Sequence, residues 1–546
     1  MMKLKQLIDA THDLICINPH TLETYYEHSI TLITQSLRLA VQTNKSNGYG
    51  VIFVMPTIDI PKRAKMVLDH STINILLSNS LSAIVANDCE LLHLLESAAF
   101  PVFHVFKTTT TDRVFSQLCI HYYNYPRRSI REMIGVTGTN GKTTVTHMME
   151  KVLSDAKLTV GLIGTLGYKC HDHECKTNDY INAGYTTPNS WILQTILNEM
   201  KNKYHIENVV MEVSSHGLTV DRVYGCDFSV AIFTNLTQDH LGFHKTMDNY
   251  LKAKLLLFSE YLSKFLSPKA IINHDDPSYE QFINVCPSNA QVYTYGLSKK
   301  NLNSFVASDI QHSLNGTSYT ITLPSGETRR VHLNIHGEFN VYNSLACIAT
   351  CLTTYSHILT LDETIKSLES FQCVKGRFEF IIRHQPFSVV VDFAHTPDAL
   401  KQVINSGRQI LLESAENGRL IVVFGSTGGE YRPSRSLFGR IAHENADIVI
   451  ITSENPRQEN PQTIIDDILS GIQQKPDNDC LYVEADRKKA IHLAMDLARN
   501  KNDLIIITGK GHEMIQTFAN YTIPFNEKEI IEDKYEKMMQ ENVLSM

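Results

Sequence analysis

Two stretches of the chain carry residues spaced for chemistry. The first, "GVTGTNGKTT" from Gly135 to Thr144, lies behind a short apolar run and leads through Gly138 and Gly141 into Lys142 and Thr143. Glycines that admit close backbone approach, then a lysine and a hydroxyl opening a helix, are the arrangement that cradles phosphates on amide groups. Lys142 would neutralise the β- and γ-phosphates and the Thr143 hydroxyl would reach a magnesium ion. Val136 stands where the strict G-x-x-x-x-G-K-[ST] spacing has its first glycine. The second stretch is "SENPRQENP", Ser453 to Pro461, in which carboxylates flank an Asn-Pro-Arg turn behind "DIVIIT". Taken alone it is either a surface loop or a grip on something with an amino group and a carboxylate of its own.

Other residues are weighed singly. Glu212 ends the apolar run "NVVMEV" and His240 follows "FTNLTQD". Both are candidate magnesium ligands, although a lone histidine beside Asp239 is more often a hydrogen-bonding partner. Spacing alone makes Lys254 a solvated helix lysine. "CHDHEC", Cys170 to Cys175, reads as a polar hairpin tip before it reads as a zinc site, because structural zinc usually draws ligand pairs from two separate segments.

These residues need elements to position them. A chain of 546 residues is too long for one core, and the size prior suggests about three domains. Residues 1–128 show helical patterning in "HSITLITQSLRLAVQ" and strand-like "YGVIFVMP", "AIVAND" and "FPVFHVF", a small α/β module. Residues 129–374 alternate strands and helices around the glycine-rich turn, as a central P-loop domain with a mostly parallel sheet. Residues 375–546 repeat the alternation in "SVVVDFAHT", "GRLIVVFG", "DIVIITS" and "DLIIITGKG", a Rossmann-like α/β domain. Ligands of such sheets lie outside the carboxyl ends of the strands, so two sheets facing each other would make a cleft between domains.

Composition narrows the class. With 50 basic against 58 acidic side chains the net charge is −8, which argues against a nucleic-acid partner. No apolar run is long enough for a membrane span, no signal-peptide core is present, and eleven scattered cysteines read as reduced thiols. A cytoplasmic monomer acting on small molecules is expected.

The ordered set "TGTNGKTT", "TTPNS", "MEVSSHGLTVDRV", "FTNLTQDHL", "AKLLLF", "HGEFNVYNSLA", "GRFE", "DFAHTPDAL", "SENPR" and "GKGHE" resembles the Mur ligase superfamily, in the MurE-type branch that adds the third residue of the peptidoglycan stem peptide. The likeness runs from Ile134 to about Glu529 and is faint before residue 128. It implies an ATP-dependent ligase that activates a carboxylate as an acyl phosphate and lets an amine displace the phosphate. Catalysis of that kind rests on positioning and charge neutralisation. The resemblance places ATP on Thr137, Gly138, Thr139, Asn140, Gly141, Lys142, Thr143 and Thr144, with Asn273, Asn343, Arg377, Asp392 and His395 nearby. Magnesium falls to Thr143, Glu212 and His240, and a second ion is assisted by carbamylated Lys254. The UDP-muramoyl dipeptide falls to Thr186, Thr187, Ser214 and Arg222. A diamino acid, meso-diaminopimelate for preference, falls to Glu454, Asn455, Arg457, Gly509 and Glu513.

The sequence also departs from the family pattern. No Asp-Ser-Arg turn appears in residues 1–128, and "FGSTGGEYRPSRSLFG" puts Glu430 and Ser434 where relatives carry an arginine and a lysine. That leaves Arg435 as the matching cation, with Arg432 nearby as a substitute. Glu454 stands for the usual aspartate, and "FNEKEI" for the usual tail motif. A paralogue acting on another carboxylate and a non-catalytic nucleotide-binding regulator are the alternatives. The joint presence of Lys142, Thr143, Glu212, His240 and Lys254 weighs against the last.

Overall fold

The computed structural model describes most of residues 110–544, omitting short internal segments, the longest of them 175–184 and 473–479. Before residue 110 it describes only 4–9, 14–16, 32–34, 51–54, 83–86 and 102–105. In that first region Leu14–Cys16, Leu32–Thr34, Val51–Val54, Ala83–Ala86 and Val102–Val105 form a five-stranded sheet, parallel apart from Leu14–Cys16 at one edge. Leu32–Thr34 falls inside the stretch expected to be helical. It is a strand because a parallel pairing with Val51–Val54 takes up its backbone groups, and tertiary pairing overrides a local 3.6-residue pattern.

An eleven-stranded sheet forms the centre of the molecule. The strand Glu132–Thr137 lies between two parallel neighbours, Asn208–Glu212 and Val230–Phe233. All five residues of Asn208–Glu212 and all four of Val230–Phe233 are buried, as expected where helices cover both faces of a sheet. On one face the helices Lys142–Asp155 and Glu338–Thr354 pack through Val145, Met148, Met149, Leu345 and Ile348. On the other, Leu193, Ile196, Leu257 and Phe258 come from the helices Ser190–Asn202 and Met247–Ser259. The far edge becomes antiparallel in the meander Ser304–Ser313, Gly316–Thr322 and Thr328–Leu333.

A separate six-stranded sheet follows. Its strands Ser388–Asp392, Leu504–Thr508, Leu420–Phe424, Ile448–Ile451 and Leu481–Val483 are parallel in that spatial order, with Glu379–Ile382 antiparallel at the edge. Helices on its two faces close two apolar clusters, one around Leu400, Ile404 and Ile465 and the other around Ile491, Met495 and Ile531. Among the described residues, no helix is long and apolar enough to cross a membrane.

Candidate functional site

The site grows from the carboxyl ends of the three central strands. After Thr137 the chain turns through Gly138 and Gly141 into the helix Lys142–Asp155. Gly141 has φ +89°, and a Cβ there would lie 2.5 Å from Asn343 Oδ1, so close approach and backbone conformation both require glycine. The loop is braced from below. Asn140 N donates to Asn235 Oδ1 at 2.9 Å, Thr237 N to Thr139 Oγ1 at 3.0 Å, and Thr139 Oγ1 pairs with the Tyr250 hydroxyl at 3.1 Å.

Three cations gather at this loop. Lys142 Nζ donates to the Gly138 and Thr139 carbonyls at 2.9 and 2.8 Å. Lys254 Nζ, 1% exposed as a residue, donates to the same Gly138 carbonyl at 2.7 Å and lies 4.4 Å from the centre of the Tyr250 ring. Arg377 donates to Thr143 Oγ1 at 3.2 Å, stacks on Phe393, and keeps a buried Nε with no partner among the described residues. Burial pulls Lys254 well below the ordinary lysine range, the charge of Lys142 pulls the same way, and Asp239 opposes both. Burial also lowers Lys142, against the pull of Glu212 and Asp239. Clustered cations beside a helix N-terminus, one of them buried, are what a polyphosphate would neutralise.

Glu212 is fully buried and heavily bonded. Its Oε2 accepts from Thr143 Oγ1 and Thr165 Oγ1, both at 3.0 Å, and its Oε1 from Thr165 N at 2.9 Å. The pair of oxygens Thr143 Oγ1 and Glu212 Oε2 suits a hard cation such as magnesium. His240 sits beside Asp239 at 3.2 Å with its ring edge-on to His216. Burial, then the charge of Lys254, holds its imidazole well below the usual range, so it is neutral and able to ligate. Among the described residues, no three His, Cys, Asp or Glu side chains converge on a common metal position. In the "CHDHEC" stretch Cys170 is a buried thiol, and its expected hairpin tip lies otherwise largely outside the described side chains.

From Glu212 a chain of hydrogen bonds runs outward. Thr187 Oγ1 donates to the Glu212 carbonyl at 3.0 Å, Ser214 N to Thr187 Oγ1 at 2.8 Å, and Arg222 to the Thr187 carbonyl at 2.8 Å. Thr186 joins through Thr165 at 3.1 Å, and the Arg222 guanidinium lies over Tyr185. Thr186, Thr187, Ser214 and Arg222 are therefore brought together beside the phosphate loop.

The remaining expected nucleotide contacts serve the fold in visible ways. Asn273 bonds the Thr234 carbonyl and the Asp275 amide, and Asn343 bonds Asn340. Both oxygens of buried Asp392 accept backbone amides, from Phe378 and Ala394, which fixes the turn that carries Arg377. His395 is exposed, with Nδ1 on its neighbour's carbonyl. The helix Pro397–Glu413, which packs on the second sheet, reaches the phosphate loop directly, because Asp398 accepts from Asn140 at 3.2 Å.

At the carboxyl ends of that sheet lies the other half of the site. Glu454 is 3% exposed, accepts from Thr427, and lies 2.7 Å from where a Cβ on Gly509 would sit. Asn455 donates to Glu513 Oε2 at 2.8 Å. Lys510, which residue spacing did not single out, has no exposed surface and ties the group together, with Nζ on Asn455 Oδ1, Glu513 Oε2 and the Ile515 carbonyl at 3.1, 3.0 and 2.6 Å. Its place inside "GKGHE" was the available signal. Thr165 is the other unanticipated member and had none.

Arg457 has φ +53°, its amide is held by the Thr517 carbonyl, and its NH1 contacts Glu430 at 3.0 Å. Arg435 and Arg432, the expected matching and substitute cations, both lie in ion pairs. Arg435 is buried on Glu459 and Asp467, and Arg432, more exposed, is paired with Asp467 at 2.7 and 2.8 Å, so both guanidinium groups are held in ion pairs inside their own domain.

Comparison with known proteins agrees with this layout. Residues 136–351 match the Mur ligase middle domain, and residues 376–511 the Mur ligase, glutamate ligase domain. A UDP-N-acetylmuramoyl-L-alanyl-D-glutamate–2,6-diaminopimelate ligase of Bacillus velezensis is 39% identical over 423 residues, covering 77% of this chain and 81% of that one. The ligase of the same name from Clostridioides difficile is 39% identical over 436 residues, 79% and 84% of the two chains. A solved structure of a ligase so named superposes with a TM-score of 0.59 at 25% identity, covering 94% and 96%. A Thermotoga maritima MurF ligase in complex with ADP shares the fold at a TM-score of 0.57 and 16% identity, covering 93% and 98%.

Proposed function

Because the chain belongs to the Mur ligase family, among relatives named UDP-N-acetylmuramoyl-L-alanyl-D-glutamate–2,6-diaminopimelate ligases, we propose that it joins meso-diaminopimelate to the D-glutamate carboxylate of UDP-N-acetylmuramoyl-L-alanyl-D-glutamate with cleavage of ATP to ADP and phosphate. The observation that carries the reading is the continuous chain Thr143, Glu212, Thr187, Arg222, which joins a phosphate loop to a carboxylate grip.

In this reading residues 137–144 hold the triphosphate, with Arg377 reaching the same loop from the second sheet. Asn273, Asn343, Asp392 and His395 shape the remainder of the nucleotide site. ATP with magnesium supplies the phosphoryl group that turns the carboxylate into an acyl phosphate. Thr143 and Glu212 would hold one magnesium ion, and His240 with Lys254 the second. Burial shifts Lys254 towards its neutral amine, the form that adds carbon dioxide and releases a proton to become a carbamate, so Lys254 suits the carbamylated ligand.

Arg222, with Thr186, Thr187 and Ser214, orients the acceptor carboxylate. Asn455, Glu454, Glu513, Gly509 and Arg457 orient the amine. Residues 1–128, 129–374 and 375–546 are the three domains of this assignment, and the enzyme acts as a cytoplasmic monomer without nucleic acid or membrane.

The test is to incubate the protein with ATP, magnesium, the UDP-muramoyl dipeptide and a panel of amino acids, and to weigh the products. A mass gain of one diaminopimelate residue is expected. A gain from a different amine, or phosphate release that neither substrate stimulates, overturns the assignment.

A further inference from the structure

Five charged groups crowd the "SENPR" turn, and the structure sorts them. Glu454 is buried against Thr427 and Gly509. Glu513 already shares one oxygen with the Lys510 ammonium and the Asn455 amide. Arg457 and Glu430 are the half-exposed members, 47% and 37% by side chain, joined at 3.0 Å. Among the described residues only NH1 of the Arg457 side chain is engaged, by Glu430 and at 3.4 Å by the Gly428 carbonyl. Its Nε and NH2 donors are left for a ligand carboxylate. A carboxylate fixed against a guanidinium beside the amino-acid turn presents adjacent opposite charges to whatever enters.

Resting on the ligase reading above, we propose that Glu430 determines specificity for the far end of the amino substrate. Arg457 takes a carboxylate there and Glu430 takes the ammonium on the same carbon, so the pair recognises a zwitterionic α-amino-acid centre and not a carboxylate alone. An ammonium and a carboxylate on one carbon are neighbours in space, as the Arg457 and Glu430 head groups are. Glu454 is buried and Glu513 is already bonded through Oε2 to Lys510 and Asn455, so Glu430 is the carboxylate that meets the Arg457 guanidinium directly.

The experiment compares meso-diaminopimelate with 2-aminopimelate, which keeps the far carboxylate and lacks the far ammonium, in the wild-type enzyme and in Glu430→Gln. Wild type is expected to favour diaminopimelate, and Glu430→Gln to shrink the ratio of the two kcat/KM values about tenfold, the scale of one hydrogen bond to a charged group. The change should appear in KM for the amine, with KM for ATP unmoved. An unchanged ratio, or equal losses on both amines, overturns the proposal, the latter showing that Glu430 acts only by bracing Arg457. Ligation of neither amine by wild type overturns the ligase reading itself, and with it this proposal.

Discussion

Lys254 shows how far a residue's surroundings can depart from its type. Its position on an amphipathic helix suits a solvated lysine, yet the ammonium is buried beside Lys142 and hydrogen-bonded to the Gly138 carbonyl. Removing it takes away the proposed second metal ligand. Lys254→Ala is therefore expected to lower kcat at least about a hundredfold, as loss of a preorganised charge-stabilising group does, with partial recovery on adding short carboxylic acids. Full activity without additive would show that the carbamate plays no part. Lys510 teaches the same lesson without chemistry, since its charge positions Asn455 and Glu513 from a site with no solvent contact. Neither burial could be inferred from neighbours in sequence, because each depends on side chains far along the chain.

Elements deliver these residues by ending where they do. Three parallel strands of the central sheet finish at Thr137, Glu212 and Phe233, and the chemistry hangs from the turns that follow. In the second sheet Leu504–Thr508 ends at Gly509, whose φ of +109° lets the turn pass under the Glu454 carboxylate. A Cβ there would meet Glu454 at 2.7 Å on a backbone that L side chains rarely adopt. Gly509→Ala should thus displace Glu454 and raise KM for the amine about tenfold or more, while KM for ATP holds. Equal increases for both substrates would mean that the turn supports the fold alone. Most of these elements were legible, because apolar runs closed by glycine or polar turns are the signature of buried parallel strands. Leu32–Thr34 was not, since its strand state comes from a partner strand and not from its own pattern.

The assembled protein also carries a pH dependence. Burial holds the His244 and His512 rings at about 4 against an ordinary 6.5, and His240 well below its usual value. Above pH 6.5 these rings are neutral in the folded and unfolded chain alike. Below it the unfolded chain takes up protons that the folded one refuses, so stability is lost as pH falls from 6.5 towards about 4. Tm should drop on acidification through that window, and His244→Asn should flatten the slope. A slope unaltered by the substitution would remove His244 from the account.

The α/β class and the phosphate loop followed from residue type and local spacing, while the remaining expected binding residues came from the ordered motifs that resemble the Mur ligase family. A glycine-rich turn and an alternating strand pattern are local properties and survive any arrangement of the rest. The link from Asn140 to Asp398, the reach of Arg377 to Thr143, the commitment of Arg432 and Arg435 to Glu459 and Asp467, and the pairing of Glu430 with Arg457 were settled only by the tertiary structure. Which of many charged side chains meets which depends on how distant segments are brought together, and that depends on the packing of two sheets that no local pattern encodes.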